Sequence, residues 1–409
     1  MSTSSLESSS PEWLNKDYVK LILSKIEVQG NPELNDFTIS AGSAQGQNFA
    51  GVIIRVSIKY TLDGSNKHVT VIIKASPTAG AVSELLEDLD VFGGELFVYK
   101  NILSGFNELL PSFKIAPRLL YADDKAMVLE DLTKLDFELA NRKNHFDLNQ
   151  AKLVLAKIAK FHALTAALYQ KDQSSMERHM ISAHDAEEMT PLSFFFSASL
   201  QESLETIRNC DDLQEYVPFL ESFDIVQEEK IVYTRNDTDR FRVLNHGDLW
   251  INNIFFKFND AKEPIDVLLV DYQESYFGSP GIDFNHFLYT SCNYEVHNNH
   301  IDELIMFYYN NLVATLKLLN YEKIPSLNDI KYEIKNKSKQ GLIALLSVVP
   351  VQMIENPEHA NPEYFLADTE EAQVVRREVY GNPHFVETLK FFLPKLSARG
   401  VLGRIESHY

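Results

Sequence analysis

The chain has 409 residues, 45% hydrophobic and 23% charged, an ordinary globular balance at a length that calls for two or more lobes. A formal charge of −20 argues against nucleic acid or an anionic membrane as partner, since both attract basic surfaces. Two cysteines, Cys210 and Cys292, are too few for a disulfide framework and lack metal-ligand spacing, which fits a reducing compartment.

Residues 1–10 are serine-rich without an apolar h-region, so they read as a disordered tail with no secretory signal. Trp13, Leu14, Tyr18, Leu21 and Ile22 fall at helical spacing and predict a helix over 11–24. Val- and Ile-rich runs at 50–60 and 68–75 flank the turn signal Asp63-Gly64, an antiparallel hairpin. A helix over 83–103 and a strand pair at 118–121 and 126–129 complete a small sheet-plus-helix lobe. Beyond Leu132 the pattern turns helical, with Val154, Leu155, Ile158, Phe161, Leu164 and Leu168 striping a helix over 147–169. Helices at 193–207, 213–222, 301–319 and 386–393 follow, with short strands at 254–257 and 266–270. The expected class is α+β: residues 1–34 tail and helix, 35–132 the small lobe, 133–409 a large helical lobe. The apolar run 341–354 contains Pro350 and falls short of the ~18 residues a membrane span needs, so cytosol is the expected location. Lys331, Lys335, Lys337 and Lys339 read as a solvated helix face.

The chemistry is concentrated in Val243-Leu-Asn-His-Gly-Asp-Leu-Trp-Ile-Asn-Asn253 and Val267-Leu-Leu-Val-Asp-Tyr-Gln273. Asp248, Asn253 and Asp271 stand in the order and spacing of a phosphoryl-transfer loop. One Asp accepts the proton of an attacking hydroxyl, an Asn five residues on offers a neutral oxygen to Mg²⁺, and a second Asp ending a buried strand needs a cation. Lys74, ending the strand 69–74, and Glu95, in the following helical segment, can form the ion pair that positions ATP phosphates, although Glu84 and Glu87 are open alternatives to Glu95. Gly42, Gly46 and Gly51, with Ser43, Gln47 and Asn48, suit a turn covering phosphates through backbone N–H groups, or an ordinary loop. Glu130-Asp131-Leu132 would be the hinge, meeting adenine through backbone groups. Asp283 would cap a helix or brace the catalytic loop.

With these residues in place the chain resembles the ecdysteroid-kinase-like family of invertebrates, related to choline kinases and aminoglycoside phosphotransferases. The resemblance covers roughly residues 35–320. It rests on His246-Gly-Asp-Leu-Trp-Ile-Asn-Asn253, Val270-Asp-Tyr-Gln-Glu-Ser275 with Gly278-Ser-Pro-Gly-Ile-Asp283, Met127-Val-Leu-Glu-Asp-Leu132 and Phe161-His-Ala163. It implies a two-lobed protein-kinase-like fold with an antiparallel-sheet N-lobe, a mainly helical C-lobe, and ATP and Mg²⁺ between them. It further implies Lys74 on phosphates, Glu95 in the ion pair, Asp248 as base, Asn253 and Asp271 on the metal, and His246 fixing the loop. The chain departs from the family in a longer glycine loop, in Gly93-Gly94, which weaken the helix before Glu95, and in Tyr272 where relatives often have Phe.

A protein kinase is disfavoured, because Gly247 replaces the Arg that reads a phosphorylated activation loop and the stretch from Asp271 to Asp283 is too short for a peptide platform. The helical insertion before His246 could instead enclose a small molecule. Phe194, Phe195, Phe196, Tyr289 and Tyr308 are either its apolar lining or plain core. The expected partner is a small-molecule hydroxyl substrate, an ecdysteroid or other apolar metabolite or xenobiotic, with no obligate protein partner. The rivals are a kinase-fold binding protein without catalysis and a choline- or aminoglycoside-type kinase.

Overall fold

The computed structural model describes residues 11–42, 52–75, 90–142, 144–180, 190–234 and 239–403. Asn15 caps α1 (Lys16–Ile26), accepting from the backbone N–H groups of Asp17 and Tyr18. Three long strands follow, β1 (Glu33–Ala41), β2 (Val52–Leu62) and β3 (Ser65–Ala75). Asp63 and Gly64 join β2 to β3 with φ of 50° and 77°, the double left-handed step that a two-residue hairpin turn demands. β1 was not foreseen: its polar Glu33, Asn35, Asp36 and Ser40 hide the alternation, and it lies at the sheet edge with no fully buried residue.

A continuous helical stretch comprises α2 (Val91–Phe97), a π-helical turn (Val98–Leu103) and α3 (Ser104–Leu109), so the helix expected at 83–103 ends later and its start lies outside the described residues. β4 (Leu119–Ala122) and β5 (Ala126–Glu130) complete an antiparallel sheet ordered β1-β2-β3-β5-β4. Tyr18, Val19, Ile22 and Leu23 of α1 share one core with Ile54, Val56, Ile58, Val71 and Ile73 of the sheet. Tyr18 Oη also donates to Asp123, 3.1 Å away in the β4–β5 turn.

The second lobe opens with β6 (Phe137–Leu139) and α4 (Leu148–Lys171), started by a capping box between Asp147 and Gln150. Next come α5 (Pro191–Arg208), α6 (Val217–Glu221), α7 (Ile225–Tyr233) and the short strands β7 (Val243–Asn245), β8 (Ile254–Phe258), β9 (Pro264–Leu269) and β10 (Tyr276–Gly278). β7 pairs with β10, and β8 lies between β6 and β9. The chain finishes with α8 (Gly281–Ser291), α9 (Tyr294–Asn299), α10 (Ile301–Leu318), α11 (Leu327–Asn336), α12 (Lys339–Gln352), α13 (Glu363–Leu366), α14 (Glu370–Tyr380) and α15 (Pro383–Ala398). Every residue of α8 is buried, so it is the lobe's central helix. The protein is therefore α+β, with a five-stranded antiparallel sheet in one lobe and a mainly helical second lobe, a kinase-like plan. Among the described residues no helix is long and apolar enough to cross a membrane.

The solvated lysine face is corrected at one position. Lys331 and Lys335 are exposed, but Lys337 is buried, and its ammonium donates to the carbonyls of Val232 (2.6 Å) and Ile231 (3.4 Å) at the end of α7. A helix end leaves carbonyls unsatisfied, and here a lysine from another helix junction satisfies them.

Candidate active site

β7 delivers His246, Gly247 and Asp248 into a loop braced from below by Asp283. That fully buried carboxylate, in the first turn of α8, accepts from the backbone N–H groups of His246 (2.7 Å) and Gly247 (2.9 Å). It also meets His162 Nε2 at 3.1 Å, while His162 Nδ1 lies 2.7 Å from Tyr308 Oη. Burial alone would raise the Asp283 pKa, but the His162 donor, the nearby His246 and the Gly247 N–H hold it below its ordinary value. Of the two sequence readings of Asp283, bracing is the one realised, since Pro280 occupies the cap of α8. Gly247 has φ +87°, and a Cβ there would lie 1.8 Å from the Glu274 carbonyl oxygen. The glycine at this position is therefore a steric requirement, because no side chain fits between the loop and residue 274.

Asn253 holds Asp248 from the far end of the loop. Its Nδ2 donates to Asp248 Oδ2 and to the Asp248 carbonyl, both at 2.9 Å, which turns its own Oδ1 away from the loop. Burial, followed by the charges of Asp271 and Glu274, pushes the Asp248 carboxyl up to about 8, against the donors on Asn253 and Trp250. His246 Nε2 reaches the Val270 carbonyl at 3.0 Å and its ring packs on Tyr272, centroids 4.6 Å apart, so it fixes the loop to the strand exit.

Lys74 Nζ lies 2.6 Å from Glu95 Oε2 and 2.6 Å from Asp271 Oδ1. Desolvation would depress its pKa, yet Asp271 and then Glu95 outweigh it and hold the ammonium above its ordinary value. The helix carrying Glu95 forms through Gly93-Gly94, and Glu95 Oε1 also accepts from Tyr272 N at 3.3 Å. Asp271 itself has φ +71°, a left-handed step that a non-glycine residue keeps only where its surroundings enforce it. Glu95 is thus the partner of Lys74; Glu84 and Glu87 lie outside the described residues.

These groups face a cleft between the lobes lined by Gly42, Ile53, Ile72, Leu129, Phe255 and Val270, with Glu130, Asp131 and Leu132 along one edge. Gly46 and Asn48, expected on the phosphates, lie outside the described residues. Sequence reading missed Arg55, whose Nε contacts Asp131 Oδ2 at 2.9 Å and ties β2 to the connecting segment; Asp131 also accepts from Thr133 N and Oγ1. For a divalent cation the cleft offers Asn253 Oδ1 and the Asp271 carboxylate. Among the described residues no three His, Cys, Asp or Glu gather as a cage. Two protein oxygens, completed by water and phosphate, are the donor set Mg²⁺ accepts, so the residues fit that ion.

Asp248 lines a different cavity, of about 240 Å³. Phe195 and Phe196 form part of its wall, whereas Phe194 packs under the Arg376 guanidinium and Tyr289 and Tyr308 are core. Its polar members are Glu229, Gln273, Glu274, His286 and Gln340. Glu274 stands inside the quoted Val270–Ser275 stretch; Glu229, His286 and Gln340 come from three helices and carried no local signal.

The ecdysteroid kinase-like family model matches residues 45–321. None of the curated proteins compared with the chain matches it. Among solved structures it is similar to an ethanolamine kinase of Plasmodium vivax, at 13% identity over 92% of this chain and 91% of that one, with a TM-score of 0.41, a likeness too distant to carry an argument.

Proposed function

The chain belongs to the ecdysteroid kinase-like family, and from that premise we propose that it is an ATP- and Mg²⁺-dependent kinase that phosphorylates a hydroxyl group of an apolar small molecule. The observation that supports it most is that Asn253, which lines the cleft with Lys74 and Asp271, donates to Asp248 at 2.9 Å, while Asp248 lines a second cavity with an apolar wall.

The apolar side chains of Ile53, Ile72, Leu129 and Val270 suit a base, with the 130–132 segment along its edge, and Lys74 suits the phosphates. Asn253 and Asp271 would hold Mg²⁺, which supplies neutralisation of phosphate charge when bound. Asp248 then takes the proton of the acceptor hydroxyl as its oxygen bonds the γ-phosphorus and the bond to the ADP oxygen breaks. His246, Asp283 and Asn253 keep the Asp248 carboxylate oriented, which is their part in the reaction. The family name suggests ecdysteroids as acceptors, and dietary or plant xenobiotics share the apolar character. Choline- or aminoglycoside-type acceptors use the same chemistry.

The test is transfer of labelled γ-phosphate from Mg-ATP onto a lipid-soluble metabolite extract and an ecdysteroid panel, with Asp248→Asn alongside. A labelled product from the native chain alone supports the kinase. No product from either protein, with ATP binding shown separately, turns the reading to a binding protein on a kinase fold.

A further inference from the structure

The buried helix α8 reaches the Asp248 loop twice. Asp283, in its first turn, accepts from the backbone of His246 and Gly247. Three residues on, and so on the same face, His286 lines the cavity that Asp248 lines. Its ring is 4% exposed, and burial pushes its pKa down to about 4, so near neutral pH the imidazole is uncharged and carries one N–H. On one side, Gln340 Nε2 of α12 lies 3.3 Å from His286 Nδ1. On the other, His286 Nε2 is buried with no hydrogen-bond partner among the described residues, and Asp248 Oδ1 lies 3.6 Å from it.

Two arguments put the proton on Nε2. An amide NH₂ group donates, so the Nδ1 that faces Gln340 Nε2 accepts. The reversed amide would need an Nδ1–H and would turn the Nε2 lone pair on the Asp248 carboxylate, acceptor against acceptor. An N–H toward that carboxylate is attractive instead. The Asp283 carboxylate does not compete for this proton, since His162 and the His246 and Gly247 N–H groups occupy it. Asp248 is thus addressed at both oxygens: Asn253 Nδ2 donates to Oδ2 at 2.9 Å, and the His286 N–H faces Oδ1. That second separation is slightly longer than a hydrogen bond, and a buried N–H left unmet is costly, so it draws Oδ1 inward.

Resting on the kinase reading, we propose that His286 is a positioning residue for phosphoryl transfer: its Nε2–H holds the Oδ1 side of Asp248 opposite Asn253, and Gln340 fixes the tautomer that allows it. His286 touches neither nucleotide nor acceptor in this role. Its Nε2 is buried, and its effect runs through the carboxylate that takes the acceptor's proton. That carboxylate has to meet the hydroxyl along one line, and a misplaced group costs up to about 10²-fold in rate. One rigid helix then sets both the backbone of the loop, through Asp283, and the rotation of its carboxylate, through His286.

Two readouts on the full chain test this. The first needs no acceptor: long-range proton–nitrogen NMR of histidine-labelled protein near neutral pH, with His286 identified by the signal lost in His286→Gln, is expected to show the Nε2–H tautomer. An Nδ1–H tautomer overturns the inference. The second follows ADP formation from Mg-ATP, with the ecdysteroid panel and n-octanol as acceptor probes and Asp248→Asn as background. His286→Phe fills the space without an N–H and is expected to lower kcat about tenfold, with KM for Mg-ATP unchanged. His286→Gln returns an N–H to the Nε2 position and recovers most of the rate, a rescue that a merely space-filling role does not give. Gln340→Leu serves as the second variant should His286→Phe fail to fold: the Nδ1–H tautomer appears and kcat falls. Native rates in His286→Phe, or equal losses in the Phe and Gln variants, keep the kinase and overturn the inference. No ADP from the native chain above background removes the kinase reading and the role of His286 with it, whichever tautomer is found.

Discussion

The cleft and the cavity lined by Asp248 handle buried charge in different ways. In the cleft every charge has a fixed partner: Lys74 between Glu95 and Asp271, Arg55 on Asp131. In the cavity beyond, Glu229 and Glu274 face no Lys or Arg of the described lining. In the first site every charged side chain is paired within the protein, one ammonium serving two carboxylates. In the second, burial holds Glu229 and Glu274 toward the neutral form.

The largest expected effect falls on Asp248, which lines the cavity and is held by Asn253 of the cleft. Asp248→Asn should lower phosphoryl transfer by about 10²- to 10⁴-fold while Mg-ATP binding persists, measured by single-turnover kinetics and nucleotide titration. Near-native turnover would separate Asp248 from both sites and dissolve the comparison. Next comes the complete side. Lys74→Met leaves Glu95 and Asp271 buried against each other and should cost roughly 3–5 kcal/mol in urea unfolding. A neutral result would mean the cleft is no better balanced than its neighbour.

Gly247→Ala forces a Cβ against the Glu274 carbonyl, 1.8 Å away, at a φ of +87°. We expect a loss of about 1–3 kcal/mol and a displaced Asp248, read as a fall in kcat larger than the rise in KM.

The smallest effect has opposite sign in the two sites. Glu229 has a folded pKa of about 8 against an ordinary 4.5. Its folded form keeps a proton that the unfolded chain has lost, so its stability contribution is full below the ordinary value and drains away as pH rises toward 8. Glu229→Gln, which cannot ionise, should therefore raise Tm by a few degrees near pH 8, shrinking toward about pH 5. Glu95→Gln removes half of an ion pair and should lower Tm instead. Equal signs would erase the distinction.

How much of this was readable depends on distance along the chain. The hairpin, the α4 stripe and the Asp248–Asn253 spacing are local patterns, and the structure keeps them close to where the sequence placed them. Lys74, Glu95 and Asp271 come together across 197 residues, yet each stood in a patterned stretch, and the Gly93-Gly94 weakness did not prevent the helix. Strand β1 escaped because an edge strand needs no apolar alternation. Glu229, His286 and Gln340 escaped for a different reason: each is a polar residue on a helix whose partners come from other helices, so no window of sequence contains the relationship. Lys337 misled for the same reason, since its spacing resembled a solvated face and its ammonium is spent on the end of α7.

That lysine sets how the second cavity behaves mechanically. Glu229 and Tyr233 project from α7, while Gln340, Ile343 and Val351 project from α12, and together they form facing walls. Lys337, one turn before those α12 residues begin, grips the last carbonyls of α7, and Lys339 Nζ reaches Glu228 at 2.5 Å. Two clasps across one seam hold the walls at a set separation. On the kinase reading proposed above, the cavity would work as a gauge rather than a jaw, admitting acceptors by girth before their chemistry matters.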